Sequence, residues 1–364
     1  MHDRVCYRYH SAVDSVHMAP KPAKKSRSTL PSARSTGSVT LADVAMLAGV
    51  SPITVSRVVN RPELVTAETL EHVQQVIDRT GYVPNMLAGG LASRRSRLVA
   101  AIVPSITNAI FVDSVQAFTD RLWEAGYQVL LGLSGYPAAR EDALLAAVLS
   151  RRPDAILLTG INHSPEVRQR LLAARIPIVE TWDMTPTPID MLVGFSHEKL
   201  GEAVARHLLA KGHRRLGLVT ADDERALARR RGFLNEIARA GAADAETITI
   251  AAPSTLAQGR HGLAQLLDRG TGITAVFCSS DLLAHGALEE TRARGLAVPD
   301  ALAIMGFGGL EFTEHTFPAL SSVTVDRVGI GRMAADEILA RFEGHAKPGR
   351  VIDVGFVIAD RGTT

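Results

Sequence analysis

The sequence predicts an all-α helix-turn-helix head followed by an α/β core of two doubly wound parallel-sheet lobes. Two patterns lead to this fold class. Residues 39–60 read as two short helices around a glycine, and from residue 98 onward short apolar runs alternate with amphipathic stretches. Such alternation is typical of parallel sheets covered by helices on both faces, and the roughly 260 residues involved are many for one sheet.

The first two helices of the head are delimited by their caps. Thr40 can cap the first helix, and Asp43 follows three residues later as the second half of a capping box. Gly49 supplies the turn, because glycine adopts positive φ without steric cost. Ser51 caps the second helix, and Pro52 fits its first position, where no donor is needed.

A third helix completes the head. It is predicted from Thr66, its cap, to Thr80, with Gly81 as its terminator. Apolar residues recur at helical spacing on all three helices. Those predicted to face the core of the head are Leu41, Val44, Ala45, Ala48, Val55, Val59, Leu70, Val73 and Ile77.

The second helix carries outward groups that suit a DNA groove. Arg57 can fork onto guanine, while short donors such as Thr54 and Asn60 suit phosphates. An ordinary helical hairpin in a globular core is the alternative for this motif taken alone. The candidate DNA-binding residues of the head are Thr40, Ser51, Pro52, Ile53, Thr54, Ser56, Arg57 and Asn60.

The distribution of charge favours a polyanionic partner for the N-terminal part. Residues 1–98 hold 13 Lys and Arg against 7 Asp and Glu, a net charge of +6, whereas residues 99–364 hold 27 against 31, a net charge of −4. Residues 1–37 are predicted to be a disordered basic extension. This extension either adds nonspecific attraction to phosphates or is partly an artefact of start-site choice, because Met18 is a possible first residue.

Cysteine content and hydropathy predict a soluble cytoplasmic protein. The chain has two cysteines, Cys6 and Cys278, which suggests no disulfide framework. It has no apolar run near the roughly 20 residues that span a bilayer, and no secretory h-region. We therefore expect no membrane partner.

The segment 85–97 reads as a linker of marginal helicity. Asn85 can begin a helix, but Gly89 and Gly90 each weaken it by about 1 kcal/mol relative to alanine. So short a helix is marginal alone, because nucleation is unfavourable. We expect it to fold only against a partner.

The core is predicted from its apolar runs and amphipathic stretches. Predicted strands are 98–103, 128–133, 155–159, 177–180, 191–194, 215–220, 247–251, 275–278, 302–306 and 351–356. Predicted helices are 111–125, 140–151, 166–174, 197–211, 227–240, 256–267, 281–294 and 327–341. In such sheets ligands bind beyond the carboxyl ends of the strands, which places the site between the lobes.

Polar side chains at the strand ends suit a sugar acid. Carboxylates and hydroxyls bind polyol hydroxyls, and an arginine adds a charge-assisted fork for an acid group. N-capping by Asp281 and a solvated face at Arg229–Arg231 are the alternatives. The candidate effector-binding residues are Ser105, Asn108, Phe111, Glu180, Asp183, Arg225, Arg229 and Asp281.

The sequence carries no enzyme signature. It lacks a P-loop, a G-x-S-x-G elbow and an H-E-x-x-H motif, and its twelve histidines form no ligand spacing. The turn 306–309 is a weak phosphate signal without G-x-G-x-x-G spacing. We therefore predict no catalytic residues, no metal and no cofactor.

These residues resemble the lactose-repressor family of bacterial transcription regulators. The resemblance covers about 39–357 and rests on VTLADVAMLAGVSPITVSRVVN, GYVPN with LAGGLAS, LLAKGHRRLGLV and CSSDLLAHGAL. It implies a homodimer, or a tetramer of dimers, on a near-palindromic operator. It also implies a core like a periplasmic sugar-binding protein, with three crossovers between lobes.

The resemblance sharpens the linker and the domain boundaries. Segment 85–92 is similar to the family's hinge helix, which folds on DNA, and Leu91 matches the leucine that wedges into the minor groove. Asn85 and Leu91 therefore join the candidate DNA-binding residues. The implied division is 38–84 for the head, 85–97 for the hinge, 98–194 with 326–345 for lobe 1, and 195–325 with 346–364 for lobe 2.

Within the family, the core is most similar to gluconate-operon repressors. The shared motifs are PSITNAIF, IPIVETWD, ADDER, VFCSSDLLAHGA and AIMGFGG. The resemblance implies a repressor released by gluconate or a related sugar acid, with Arg229 as partner of the carboxylate. Pro52, Ile53 and Gly308 depart from the family pattern. A periplasmic-type solute-binding protein and a sugar-processing enzyme are the competing hypotheses.

Overall fold

The computed structural model describes residues 39–83, 96–107, 109–136, 138–345 and 347–364. They divide into two compact units, the head up to residue 83 and the core from residue 96. In these ranges no single helix has the length and apolarity to cross a membrane. The pair Leu41–Leu47 and Pro52–Asn60, bent by 108°, passes that test by length and composition alone.

The head consists of three helices: α1 (Leu41–Leu47), α2 (Pro52–Asn60) and α3 (Ala67–Thr80). The predicted caps are confirmed. Thr40 and Asp43 form the capping box, and Ser51 accepts a hydrogen bond from the Thr54 amide. Gly81 ends α3 in the left-handed region with φ of 63°. Local sequence therefore sets the helix ends.

The helices of the head pack on a small apolar core. Val44, Val55 and Val73 are completely buried at its centre. Val59 packs against this core as a partly buried residue, as predicted, and Val58, which was not predicted, is the more deeply buried neighbour of Val55. Residues three apart on a helix share a face nearly as well as residues four apart, so spacing alone did not choose between them.

Lobe 1 of the core is a six-stranded parallel sheet. Its strands are β1 (Leu98–Val103), β2 (Gln128–Leu133), β3 (Ala155–Thr159), β4 (Ile178–Thr181), β5 (Met191–Gly194) and β11 (Val351–Asp353), in the order β11-β5-β4-β3-β1-β2. Its helices are α4 (Val112–Glu124), α5 (Ala138–Leu149), α6 (Pro165–Ala174) and α12 (Arg327–Phe342).

Lobe 2 repeats this arrangement. Its strands are β6 (Leu216–Ala221), β7 (Glu246–Ile250), β8 (Ala275–Cys278), β9 (Ala303–Phe307), β10 (Ser321–Thr324) and β12 (Val357–Ala359), in the order β12-β10-β9-β8-β6-β7, with β12 antiparallel. Its helices are α7 (His197–Ala210), α8 (Glu224–Arg239), α9 (Leu256–Asp268), α10 (Asp281–Ala293) and α11 (Phe312–His315). The polar four-residue strand β10 was not predicted.

The chain passes between the lobes three times, after β5, after β10 and after β11. The single strand predicted over 351–356 is wrong, because it is two strands in different sheets. Gly355 breaks the run with φ of 65°, and its amide donates to Asp353. Strand β11 pairs with β5, so the assignment of 351–353 to lobe 2 is also corrected.

A close helix contact in lobe 2 positions the first helix after β6. A Cβ on Gly201 of α7 would lie 2.0 Å from the Arg229 carbonyl oxygen, and one on Gly232 of α8 would lie 1.9 Å from the Glu198 carbonyl oxygen. Only glycine permits backbones to approach so closely. The contact fixes the distance of α8, and therefore of Arg229, from the cleft.

Candidate functional site

A narrow cavity lies between the lobes, at the carboxyl ends of the strands. Lobe 1 contributes Phe111 and Trp182, whose rings meet edge to face at 5.1 Å. Lobe 2 contributes His197, Arg229 and Asp281. Aromatic walls with a few polar groups are typical of small-molecule sites.

Arg229 is a buried cation at this cavity, with 5% of its surface exposed. Its Nη1 lies 2.9 Å from His197 Nδ1, and its Nη2 donates to the Ser279 carbonyl oxygen at 2.9 Å. Its guanidinium carbon lies 4.1 Å from the centroid of the Phe307 ring. The guanidinium plane is therefore held on three sides.

His197 is buried in its neutral form beside Arg229. Its Nε2 lies 2.8 Å from the Trp182 carbonyl oxygen. A carbonyl oxygen can only accept a hydrogen bond, so Nε2 carries the hydrogen and donates it. Nδ1 is then the acceptor for Arg229. Burial lowers the pKa of His197 well below its usual value, and the nearby Arg229 charge lowers it further.

No carboxylate of the described residues forms a direct ion pair with Arg229, although the charges of Asp223 and Asp183 act on it from farther away. Its contacts are a ring nitrogen, a carbonyl and an aromatic face, and its Nε has no hydrogen-bond partner. Burial lowers the pKa of Arg229 to about 10, so the group stays charged at neutral pH. A buried charge without a partner is unfavourable, and an anionic ligand would relieve it.

Asp281 lines the cavity but is held by protein groups. Its carboxylate accepts from the Ser322 hydroxyl at 2.6 Å and from the Leu310 amide at 2.8 Å. Burial raises the pKa of Asp281 to about 6. A Cβ on Gly308, where φ is 135°, would lie 3.0 Å from Asp281 Oδ2. A side chain at position 308 would therefore be strained.

The glycine turn after β9 is not a free anion cradle. The Gly308 amide donates to the Val323 carbonyl oxygen, and the Gly309 amide donates to the Ser322 hydroxyl. Phosphate loops require free amides that point at the ligand. The amides of this glycine turn are therefore used inside lobe 2, and the turn does not form a phosphate loop.

The cavity opens into a wider cleft mouth lined by Asp183, Asp223 and Arg225. Arg225 belongs to α8 of lobe 2, and its guanidinium carbon lies 5.3 Å from the Phe111 ring centroid of lobe 1. Burial raises the pKa of Asp183 to about 6, although Arg225 opposes this shift. The mouth thus brings both signs of charge to the lobe boundary.

We expect Asp183→Asn to stabilise the protein at pH 8 by about 1–3 kcal/mol. The folded pKa of about 6 exceeds the usual aspartate value of 3.8, so ionisation of Asp183 opposes folding. Its contribution to stability therefore falls as pH rises from about 4 through 6. Urea unfolding of both proteins at pH 5 and pH 8 measures this, and an equal difference at the two pH values would contradict it.

The structure brings most predicted effector residues together. Phe111, Arg225, Arg229 and Asp281 line the cavity, and Asp183 lines its mouth. Asn108 lies outside the described residues. The Ser105 hydroxyl is used in a local turn, where it accepts from the Thr107 amide. Ser105 is not among the residues that line the cavity or its mouth.

Glu180 is likewise displaced from the cavity. It is completely buried, and its Oε2 accepts from the Ile189 amide at 2.6 Å. Its Oε1 lies 3.5 Å from His163 Nε2, and the other ring nitrogen of His163 lies 3.0 Å from Glu141. We refer to these three residues as the His163 cluster. The predicted effector contact of Glu180 is replaced by this internal ion pair.

Three prominent residues of the cavity were not predicted: Trp182, His197 and Phe307. Trp182 directly follows β4, and Phe307 is the last residue of β9. His197 is the first residue of α7, immediately after its cap Ser196. The signal that could have found them is their position at strand ends or helix starts, irrespective of side-chain polarity.

The second helix of the head presents an exposed surface. Ile53 is 65% exposed, and Pro52, Arg57 and Asn60 are exposed as well. The Ser51 and Thr54 hydroxyls are 2.9 Å apart, and Asn60 donates to the Ser56 carbonyl oxygen. The Thr40 hydroxyl donates to Asp43 in the capping box. Asn85, Leu91 and the hinge lie outside the described residues.

Comparison with known proteins decides the family. Residues 40–85 match the family described as bacterial regulatory proteins, lacI family, and residues 205–364 match the periplasmic binding protein-like domain. The HTH-type transcriptional regulator GntR of Pseudomonas aeruginosa is 38% identical over 333 residues, which are 91% of this chain and 97% of that relative. The chain belongs to the lacI family of bacterial regulatory proteins. The resemblance found in its motifs is thereby confirmed.

Solved structures of lacI-family proteins share this fold. A lacI-family transcriptional regulator from Silicibacter pomeroyi has a TM-score of 0.84 and 32% identity, covering 89% of this chain and 99% of its own. A lac repressor dimer bound to operator and the anti-inducer ONPF has a TM-score of 0.75 and 25% identity, covering 90% and 99%. The predicted fold class is confirmed, and this lacI-family protein is a DNA-binding transcription regulator with an effector cleft.

Proposed function

We propose that this lacI-family regulator represses genes of sugar-acid catabolism and leaves its operator when gluconate or a similar acid enters the cleft. The observation that carries the proposal is Arg229, a buried cation that lacks a carboxylate partner among the described residues. A carboxylate ligand would complete its hydrogen bonds and neutralise it. A neutral sugar would leave that charge unbalanced.

The rest of the cavity suits the hydroxyls of such an acid. Ser254, Ser280 and Asp223 line it, and they offer hydroxyl and carboxylate groups to a polyol chain. Phe111 and Trp182 supply flat apolar faces on the opposite side. A cavity with one fixed cation, several polar groups and aromatic walls fits a small acid with many hydroxyls.

On the DNA side, we infer a homodimer, or a tetramer of dimers, that binds a near-palindromic operator in the nucleoid. Two heads related by a two-fold axis read two half-sites, so operator symmetry mirrors protein symmetry. The hinge would couple the cleft to the operator, because a segment that folds only on DNA responds to lobe geometry. Asn85 and Leu91 are its proposed contacts.

Calorimetry with a matched pair of ligands tests the effector. Sorbitol has the carbon chain and hydroxyls of gluconate but a CH₂OH group in place of the carboxylate. We expect gluconate to bind at least about 30-fold more tightly than sorbitol, since one charge-assisted contact contributes about 2–3 kcal/mol. Gluconate should also release the operator in a gel shift. Equal affinity for both ligands would reject a sugar-acid effector.

We expect Arg57→Ala to weaken specific operator binding by about 1–3 kcal/mol, because Arg57 is exposed on α2 and suits a guanine edge. The measurement is fluorescence anisotropy on an operator selected from random duplexes and on unrelated DNA. Arg79→Ala, an exposed arginine of α3, is the matched control. A loss of equal size on both DNAs would show that Arg57 contacts only phosphate.

A further inference from the structure

We propose that His197 determines the charge selectivity of the cleft by holding Arg229 through a neutral acceptor, which leaves the positive charge of Arg229 for the ligand. His197 is a positioning residue in this account, since Arg229 contacts the effector. The identity of the anion rests on the proposed function. The effect of His197 on Arg229 can also be measured without any ligand.

The contacts of His197 allow only one tautomer. Nε2 faces the Trp182 carbonyl oxygen at 2.8 Å, and Nδ1 faces Arg229 Nη1 at 2.9 Å. A carbonyl requires a donor and a guanidinium requires an acceptor, so the two sides of the ring have fixed roles. A protonated ring would direct a hydrogen at Arg229. The pair therefore functions with a neutral imidazole.

Other half-buried arginines in the core are held differently. Arg327 pairs with Asp113 at 2.7 Å, and Arg361 pairs with Glu314 at 2.6 Å. A carboxylate both orients a guanidinium and neutralises it, because the two charges meet at short range. At Arg229 the orienting groups are His197 Nδ1 and the Ser279 carbonyl oxygen, which orient without neutralising.

This arrangement opposes stability and favours ligand binding. Asp223 and Asp183 balance the charge of Arg229 only from a distance, and a buried charge without a directly bonded counter-ion destabilises the unliganded protein. A carboxylate at position 197 would remove that penalty, and it would also compete with an anionic ligand for Arg229. Functional sites commonly violate a local rule of this kind in return for binding. The neutral acceptor is therefore the feature that selects an anion.

The substitutions His197→Asp and His197→Asn form a matched pair that differs in charge and hardly in shape. Both can accept from Arg229, but only Asp neutralises it. We expect His197→Asn to keep gluconate at least about 30-fold tighter than sorbitol, and His197→Asp to bring the two affinities within about threefold of each other. A packing defect would weaken both ligands alike in both variants.

The second arm measures melting temperature without ligand. In the wild-type background, His197→Asp should melt at least about 3 °C above His197→Asn, because it neutralises Arg229. In an Arg229→Met background the order should reverse, since the new carboxylate is then buried alone. Equal melting temperatures of the pair in both backgrounds would overturn the proposal. If wild type shows no preference for gluconate while this reversal occurs, the effector assignment fails and the role of His197 stands.

Discussion

Arg229→Met is expected to lower the affinity for gluconate by about 30- to 1000-fold, because removal of a buried charged partner loses about 2–4 kcal/mol. Methionine fills a volume similar to that of the arginine stem, so the cavity wall stays packed. The affinity for sorbitol should change much less, since the lost interaction is with the carboxylate. Isothermal titration of both ligands with both proteins measures the difference.

The matched control is Arg231→Met on the same helix. Arg231 is exposed, whereas Arg229 is 5% exposed, so the control removes a charge of α8 without touching the cavity. We expect wild-type gluconate affinity for this variant. If both substitutions weaken gluconate to the same degree, the effect is one of net charge, and Arg229 is not the carboxylate partner.

His163→Gln is expected to destabilise the core by about 3–5 kcal/mol, because it leaves a buried carboxylate without its counter-charge. Glu180 is completely buried, and its Oε1 lies 3.5 Å from His163 Nε2. Urea unfolding at pH 7 measures the loss. His345→Gln, at an exposed side chain, is the control and should be neutral. A His163 variant as stable as wild type would contradict this role of His163.

The role of the His163 cluster can also be tested through the pH dependence of stability. Burial opposes protonation of His163, but Glu141 and Glu180 outweigh it and raise the pKa to about 9. This folded pKa exceeds the usual histidine value of 6.5, so the stabilisation is complete below about pH 6.5 and is lost as pH rises through 9. We expect wild type to lose about 3 kcal/mol over that range, and His163→Gln to lose less.

Most helix ends and strands of this fold could be predicted from local signals in the sequence. Thr40, Ser51 and Thr66 each accept a hydrogen bond from the third residue of the helix that follows, as their residue types predict. Strands such as β5 and β8 are continuous apolar runs because both faces of the sheet are covered. The division of 351–356 between two sheets depends on pairing partners far away in the sequence, which no local pattern contains.

The candidate site was harder to predict because strand residues alternate between faces. Glu180 was placed in the cleft as a polar residue at a strand end. The strand continues to Thr181, and Glu180 shares the face of Ile178, where it meets His163 instead. His197 was missed for the opposite reason, since its role depends on Arg229, 32 residues later on another helix.

The pairing of β11 and β12 with different sheets has a consequence for quality control in the cell. Each supplies an edge strand to one lobe, and only three residues of chain separate them. A chain that stops before residue 351 would expose a sheet edge on both lobes at once, and exposed edges invite aggregation. A premature stop codon shortly before residue 351 should therefore yield insoluble or degraded protein rather than a regulator that still binds DNA but ignores its effector.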